Sequence, residues 1–279
     1  MPCGKDAREA RSPARQAFPL KLVIVQRFQL RGFHSAAARS LHELLECLGR
    51  IFIAAARQFS GVRLVVFDLD GTLIDSARDL ISAVNATRAA FQLPLLNDPT
   101  VMGYIGHGAR ELVRHALQDG GATPLSEAKI DRGVLAFREY YSAHLLDHTR
   151  PYPGVVEALN GLHDRMLAVL TNKPLRFTMP ILEGLHLAGR FRRIYGEDSF
   201  PTKKPDPAGM LALLREFGAA PEETMMVGDA ETDVLTARNS GTWMCGVTYG
   251  LSSRRLVEYP PDLLVDSLTE LLPSLPMPR

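Results

Sequence analysis

The chain has 279 residues, of which 46% are apolar and 23% charged, and its net charge is +1. Those proportions suit a folded protein with a sizeable core and exclude collagen-like, low-complexity and wholly disordered classes. The near-neutral charge gives no basic field for nucleic acid, and no uninterrupted run of 18 apolar residues offers a membrane span.

Charge is unevenly spread along the chain. Residues 1–60 hold ten basic and four acidic residues, which leaves the remainder acidic. This segment reads as a basic N-terminal extension, partly disordered, with one helix over 36–58. Leu41, Leu44, Leu45, Leu48, Ile51 and Phe52 fall near helical spacing there. The chain start lacks the charged-then-apolar build of a secretory signal, and a transit peptide fits only loosely. The three cysteines, Cys3, Cys47 and Cys245, are odd in number and show no CxxC spacing. That argues against a disulfide framework or a structural zinc site and points to a reducing, cytoplasmic compartment.

From residue 63 the pattern changes. Leu64-Val65-Val66-Phe67 is a short apolar run with the β-branched and aromatic content of a buried parallel strand. Similar runs recur at 166–170, 224–227, 243–247 and 263–265, with helical stretches at 176–187, 208–217 and 232–239 between them. Strand alternating with helix predicts a doubly wound α/β core over 61–76 and 151–279. Residues 77–150 break the alternation. They read as helices at 77–91, 109–117 and 126–145, punctuated by Pro94, Pro99 and several glycines, and form an inserted helical domain.

Four polar segments each follow an inferred strand and so line one sheet edge, where open α/β sheets bind ligands. In Asp68-Leu69-Asp70-Gly71-Thr72, alternation places both carboxylates on one side of the chain. At a separation of about 4 Å and an effective dielectric near 20 they repel by about 4 kcal/mol. A cation or a retained proton must offset this, and either is useful: for metal binding, or for an acid beside a nucleophile. Thr171-Asn172 supplies hydroxyl and amide donors suited to phosphoryl oxygens. In Lys203-Lys204-Pro205-Asp206-Pro207 the prolines hold the chain extended and fix where a lysine points. In Gly228-Asp229-Ala230-Glu231-Thr232-Asp233, the two aspartates share a face if a helix begins there, and a metal would relieve their repulsion.

Together these segments resemble the haloacid dehalogenase superfamily of aspartate-dependent phosphohydrolases. The residues carrying the resemblance are Phe67 to Ser76, Thr171-Asn172-Lys173-Pro174, Lys204-Pro205-Asp206-Pro207 and Gly228-Asp229 to Asp233. The resemblance implies a Rossmann-like core with an inserted helical type-one cap over 77–150. It covers residues 63–275 and leaves 1–60 aside. Within the superfamily the chain is most similar to phosphoglycolate phosphatases, through Arg150 to Gly154, Thr171 to Pro174, Lys203 to Pro207 and Thr248-Tyr249-Gly250.

The resemblance also implies roles. Asp68 is the nucleophile that forms an aspartyl-phosphate, and Asp70 is the general acid and base. Mg²⁺ is held by Asp68, the backbone carbonyl of Asp70 and Asp229, with Asp233 supporting it through water or Lys204. Thr171 and Lys204 hold phosphoryl oxygens, with Asn172 beside them. Gly106, His107 and Arg110 in the cap, with Lys173, are the expected contacts to the rest of the substrate. Arg110 is the expected partner of a carboxylate.

The expected activity is Mg²⁺-dependent hydrolysis of 2-phosphoglycolate by a monomer or homodimer, with no nucleic acid or membrane partner. Rival readings are a phosphatase of pyrophosphate or sugar phosphates, a phosphomutase, and a non-catalytic interaction protein working through residues 1–60.

Overall fold

The computed structural model describes residues 59–119 and 124–276. The basic extension, its expected helix, Cys3 and Cys47 lie outside the described residues. The third cysteine, Cys245, is a buried free thiol.

All five apolar runs are strands: β1 (Leu64–Phe67), β4 (Met166–Leu170), β6 (Thr224–Gly228), β7 (Trp243–Val247) and β8 (Leu263–Val265). A sixth strand, β5 (Arg193–Tyr195), completes a parallel sheet in the order β5-β4-β1-β6-β7-β8. Sequence reading misses β5 because it is a three-residue edge strand with an exposed arginine and two half-buried residues, so it carries no continuous apolar run. β1 is central and buried on both faces. Val65 and Phe67 face one core with Leu159, Val169 and Val227, whereas Leu64 and Val66 face another with Leu170, Met210 and Val234.

Two helices flanking the sheet match expectation closely: α7 (Ala208–Phe217) and α8 (Glu231–Ser240). α6 (Leu175–Gly184) ends before residue 187, and α5 (Val155–Gly161) and α9 (Leu271–Ser274) are short additions. Residues 204–206 turn, and Pro207 takes helical angles at the start of α7. The 203–207 segment is therefore a bend, not the extended stretch expected from its prolines.

The helical segment contains α1 (Ala77–Ala90), α2 (Asp98–Met102), α3 (Ala109–Gln118) and α4 (Glu127–Ala143). Pro99 hides α2 from a sequence reading that treats prolines as punctuation. It sits at the helix start, where the missing N–H costs nothing, and the Asn97 side chain caps Thr100 N. These helices enclose their own apolar cluster, including Val84, Val113, Ile130 and Phe137.

The segment leaves and rejoins the sheet through a small ribbon. β2 (Ile74–Asp75) pairs antiparallel with β3 (Arg150–Pro151), Ile74 opposite Pro151 and Asp75 opposite Arg150. Beside it, buried Asp79 of α1 accepts from His148 N, Thr149 N and Thr149 Oγ1 at 2.7–3.0 Å.

Candidate active site

The first loop residues after β1, β4 and β6 are Asp68, Thr171 and Asp229, so strand order alone gathers them at one sheet edge. Lys204 reaches them from the bend before α7. All four are buried. Gly71 makes the loop after β1 possible: its φ is +85°, and a Cβ there would drive into the Asp229 carboxylate. Gly250, on the loop after β7, packs equally tightly against Asp229.

Each carboxylate of the first loop has its own lysine. Lys204 Nζ lies 2.8 Å from Asp68 Oδ1 and 2.6 Å from Asp233 Oδ1. Lys173 Nζ lies 2.9 Å and 3.2 Å from the two oxygens of Asp70, whose Oδ1 also accepts from Ser76 Oγ. The repulsion between neighbouring carboxylates is thus relieved first by two ammonium groups. Burial opposes the charge of both lysines, but the carboxylates beside them outweigh it and push both pKa values up.

Asp229 does not share a helix face with Asp233. It precedes α8, while Asp233 lies in the first turn and accepts from Ala230 N. Both oxygens of Asp233 are therefore occupied, one by Lys204 and one by the chain. Asp229 accepts from Ser252 N at 2.8 Å and from Thr72 Oγ1 at 3.4 Å.

Oxygens of Asp68, Asp229 and Asp233 lie within 4.8 Å of one another. Three buried carboxylates share one ammonium, Lys204, which leaves an excess of negative charge. Asp68 Oδ1 accepts no aligned hydrogen bond among the described residues. Burial, followed by the neighbouring aspartates Asp233 and Asp70, pushes Asp68 up to about 6, with Lys204 pulling the other way. Burial and then Asp233 and Asp68 raise Asp229 well above the usual carboxylate range. An oxygen-rich, over-charged and under-bonded cluster of this kind fits a hard divalent cation.

Asp68, Asp70, Asp229 and Lys204 line a cavity of about 50 Å³ between the sheet edge and the helical segment. Thr171, Asn172 and Lys173 form its floor with the aspartates, and Leu80, Ile105, Leu112 and Phe137 form an apolar roof. Gly106 and Gly108 border it. Asn172 Nδ2 donates to Lys204 O at 3.0 Å and to Gly106 O at 3.3 Å, which ties the helical segment to the floor.

Two expected contacts are not brought in. Arg110 points to the outside of the helical segment, where it pairs with Glu127 and Asp131, each at 2.6 Å. Adjacent helices α3 and α4 put those acids within reach of its long side chain, so it is neutralised away from the cavity. The His107 ring is half exposed and lies 3.6 Å from Glu231 outside the cavity, although its backbone carbonyl accepts from Lys203.

Tyr141 of α4 also lines the cavity, and sequence reading misses it. Together with Phe137 it reads in sequence as an ordinary apolar pair four residues apart on a helix. Only its hydroxyl, 2.7 Å from Lys173 Nζ, sets it apart.

The haloacid dehalogenase-like hydrolase family model matches residues 65–247. The chain is 41% identical over 220 residues to phosphoglycolate phosphatase 1 of Pseudomonas aeruginosa, covering 76% of this chain and 79% of that protein. It is 38% identical over 216 residues to the phosphoglycolate phosphatase of Agrobacterium fabrum, covering 76% and 91%. A crystal structure of a predicted phosphoglycolate phosphatase from Haemophilus somnus superposes with a TM-score of 0.72 at 32% identity, covering 76% of this chain and 97% of that one.

Proposed function

We propose that this chain, which belongs to the haloacid dehalogenase-like hydrolases, is a phosphomonoester hydrolase that converts 2-phosphoglycolate to glycolate and phosphate. The observation that carries this reading is the pair Asp68 and Asp70, each held by a lysine at the floor of a cavity beneath the helical segment. Relatives up to 41% identical are phosphoglycolate phosphatases, which supports this substrate.

An Asp68 oxygen attacks phosphorus, and the bond from phosphorus to the ester oxygen breaks. Asp70 delivers its proton to that departing oxygen and is left as a carboxylate beside Lys173. Asp70 then takes a proton from water as the water oxygen attacks the phosphorus of the aspartyl-phosphate. The Asp68–phosphate bond breaks and the nucleophile is restored. Lys204 and the Thr171 hydroxyl hold phosphoryl oxygens. The catalysis is positioning and charge neutralisation, as phosphoryl transfer requires.

Asp68, Asp229 and the backbone carbonyl of Asp70 would hold Mg²⁺, with Asp233 fixing Lys204 alongside. When bound, the ion supplies neutralisation of phosphoryl charge. The helical segment acts as a cap whose apolar roof keeps bulk water out and admits only a small substrate. With Arg110 paired elsewhere, the polar groups that border this cavity for the glycolate end are Lys173, Tyr141, Asn172 and the backbone at Gly106 and Gly108. Among the described residues no helix is long and apolar enough to cross a membrane.

The test is phosphate release from 2-phosphoglycolate, pyrophosphate, sugar phosphates and an aryl phosphate, with Mg²⁺ and with EDTA. The reading expects phosphoglycolate to lead by at least about tenfold in kcat/KM, or about 1.4 kcal/mol. A flat, EDTA-sensitive profile would keep the chemistry and remove the substrate. No turnover of any ester would remove both and leave the interaction-protein reading.

A further inference from the structure

Lys173 is a buried cation with three N–H donors and three acceptor oxygens in reach. Two are the carboxylate oxygens of Asp70, at 2.9 and 3.2 Å, and the third is Tyr141 OH at 2.7 Å. The first two belong to the loop after β1. The third belongs to α4 in the helical segment, reached from a different part of the chain.

Tyr141 is itself immobilised. Its side chain is fully buried, stacked on Phe137 with ring centroids 5.4 Å apart and set edge-on to Phe177 of α6 at 5.2 Å. Lys173 Nζ also stands 4.8 Å from the Tyr141 ring centroid, within range of its face. Burial is the main cause that pushes the Tyr141 pKa up to about 12, so the hydroxyl stays neutral and accepts from the ammonium.

We propose that Tyr141 is a positioning residue for leaving-group departure: its hydroxyl anchors the Lys173 ammonium, and Lys173 holds the Asp70 carboxyl in line with the departing oxygen. The inference rests on the assignment of Asp70 as acid and base. Among the described residues, two hydrogen bonds link this floor to the helical segment, from Asn172 to Gly106 O and from Lys173 to Tyr141. The second alone reaches Asp70. The acid is therefore set fully only when the helical segment is seated, which delays proton delivery until the cavity is closed around a substrate. Without the hydroxyl, one N–H of a buried ammonium has no acceptor, and Lys173 is free to swing away from the line it now holds.

The chemistry gives a selective readout. As the phosphorus–oxygen bond to an alkyl ester breaks, the departing alkoxide needs the Asp70 proton. Acetyl phosphate is of similar size, but it releases acetate, a stable anion that needs none. kcat/KM reports events up to that cleavage and leaves later water attack out. Tyr141→Phe keeps the ring contacts and deletes only the hydroxyl. It is expected to lower kcat/KM for 2-phosphoglycolate about tenfold and for acetyl phosphate less than about twofold. Because both substrates are measured on the same preparation, any misfolded fraction cancels in their ratio.

A double-mutant cycle separates action through Asp70 from a direct effect. Asp70→Asn should show the same alkyl-selective loss, and adding Tyr141→Phe to it should cost less than about a further twofold. Equal losses on both substrates, or a full additional loss in the Asp70→Asn background, would overturn the proposal. If Asp70→Asn itself spares the alkyl ester, the acid assignment falls and the role of Tyr141 falls with it. If phosphoglycolate is no substrate of the unmodified enzyme while another alkyl phosphate is, the substrate reading fails alone and that ester takes its place in the cycle.

Discussion

Lys204 and Asp233 form a pair sealed from solvent, with Nζ 2.6 Å from Oδ1 and side chains 2% and 0% exposed. Neither side chain can satisfy its charge with water. The other Asp233 oxygen accepts from Ala230 N, so one side chain fixes both the lysine and the first turn of α8. Asp233→Asn would leave Lys204 with Asp68 as its one carboxylate partner. The expected cost is about 3 kcal/mol, the usual scale for breaking a buried ion pair. Urea denaturation checks it: an unchanged midpoint and slope would mean that Asp68 alone satisfies the lysine.

Asp68→Asn should abolish turnover and leave the fold intact. It should also change how stability depends on pH in the metal-free protein. The Asp68 pKa is raised in the folded state from an ordinary 3.8 to about 6, with burial the largest cause. The folded state thus binds this proton more tightly than the unfolded state does. The associated stability is fully present below about pH 4 and is lost as pH rises through about 6. The loss amounts to roughly 3 kcal/mol, and Asp229, also raised, works in the same direction. Melting curves of unmodified protein and Asp68→Asn in EDTA should therefore diverge across this window, with the variant the more stable above it. Parallel curves would mean that burial leaves the Asp68 carboxyl at its ordinary pKa.

Added Mg²⁺ should reverse that loss, since it offsets the charge the cluster cannot. At a concentration about a hundredfold above its Kd the gain is about 2.7 kcal/mol, which for a domain of this size raises Tm by about 5–10 °C. Differential scanning calorimetry with and without EDTA measures it. The shift should disappear in Asp229→Asn, and a shift of the same size there would move the ion away from this cluster.

Gly71→Ala introduces two conflicts at once: a φ of +85° and a Cβ directed into the Asp229 carboxylate. The loop must move, and with it Asp68 and Asp70. Titration of turnover against Mg²⁺ should show half-saturation raised at least about tenfold, as displacement of a group supporting a metal site does. Normal metal dependence would mean that the loop accommodates the methyl group without shifting its carboxylates.

Arg110→Ala should leave KM for phosphoglycolate within about twofold, since the side chain pairs with Glu127 and Asp131 on the outside of the helical segment and points away from the cavity. A large, carboxylate-specific rise in KM would show that Arg110 turns inward when substrate binds.

Much of the site is legible in sequence because it is local to strand ends. Asp68, Thr171 and Asp229 each follow an apolar run directly, so recognising the strand places the residue. Lys204 is found through its prolines, although the segment bends. What sequence leaves hidden depends on contacts between distant helices. Arg110 is drawn outward by acids on α4, a pairing no local pattern announces. Tyr141 has the spacing of a core residue, and what distinguishes it is one oxygen meeting Lys173, 32 residues away. The edge strand β5 and the helix α2 are missed for a simpler reason: one is too short and exposed for periodicity, and the other starts at a proline.

The ribbon of β2 and β3 carries a different consequence. Asp75 and Arg150 are opposite one another, so the chain departs from the sheet and returns to it at adjacent positions, braced by Asp79. What lies between has its own apolar centre and, among the described residues, adds no strand to the six-stranded sheet. The span 76–149 can therefore vary during descent without disturbing strand order, provided it keeps Ser76 and Tyr141, which reach Asp70 directly and through Lys173. A lineage can acquire a new specificity by exchanging this cassette, and an engineer can transplant it between relatives by cutting at the same two points.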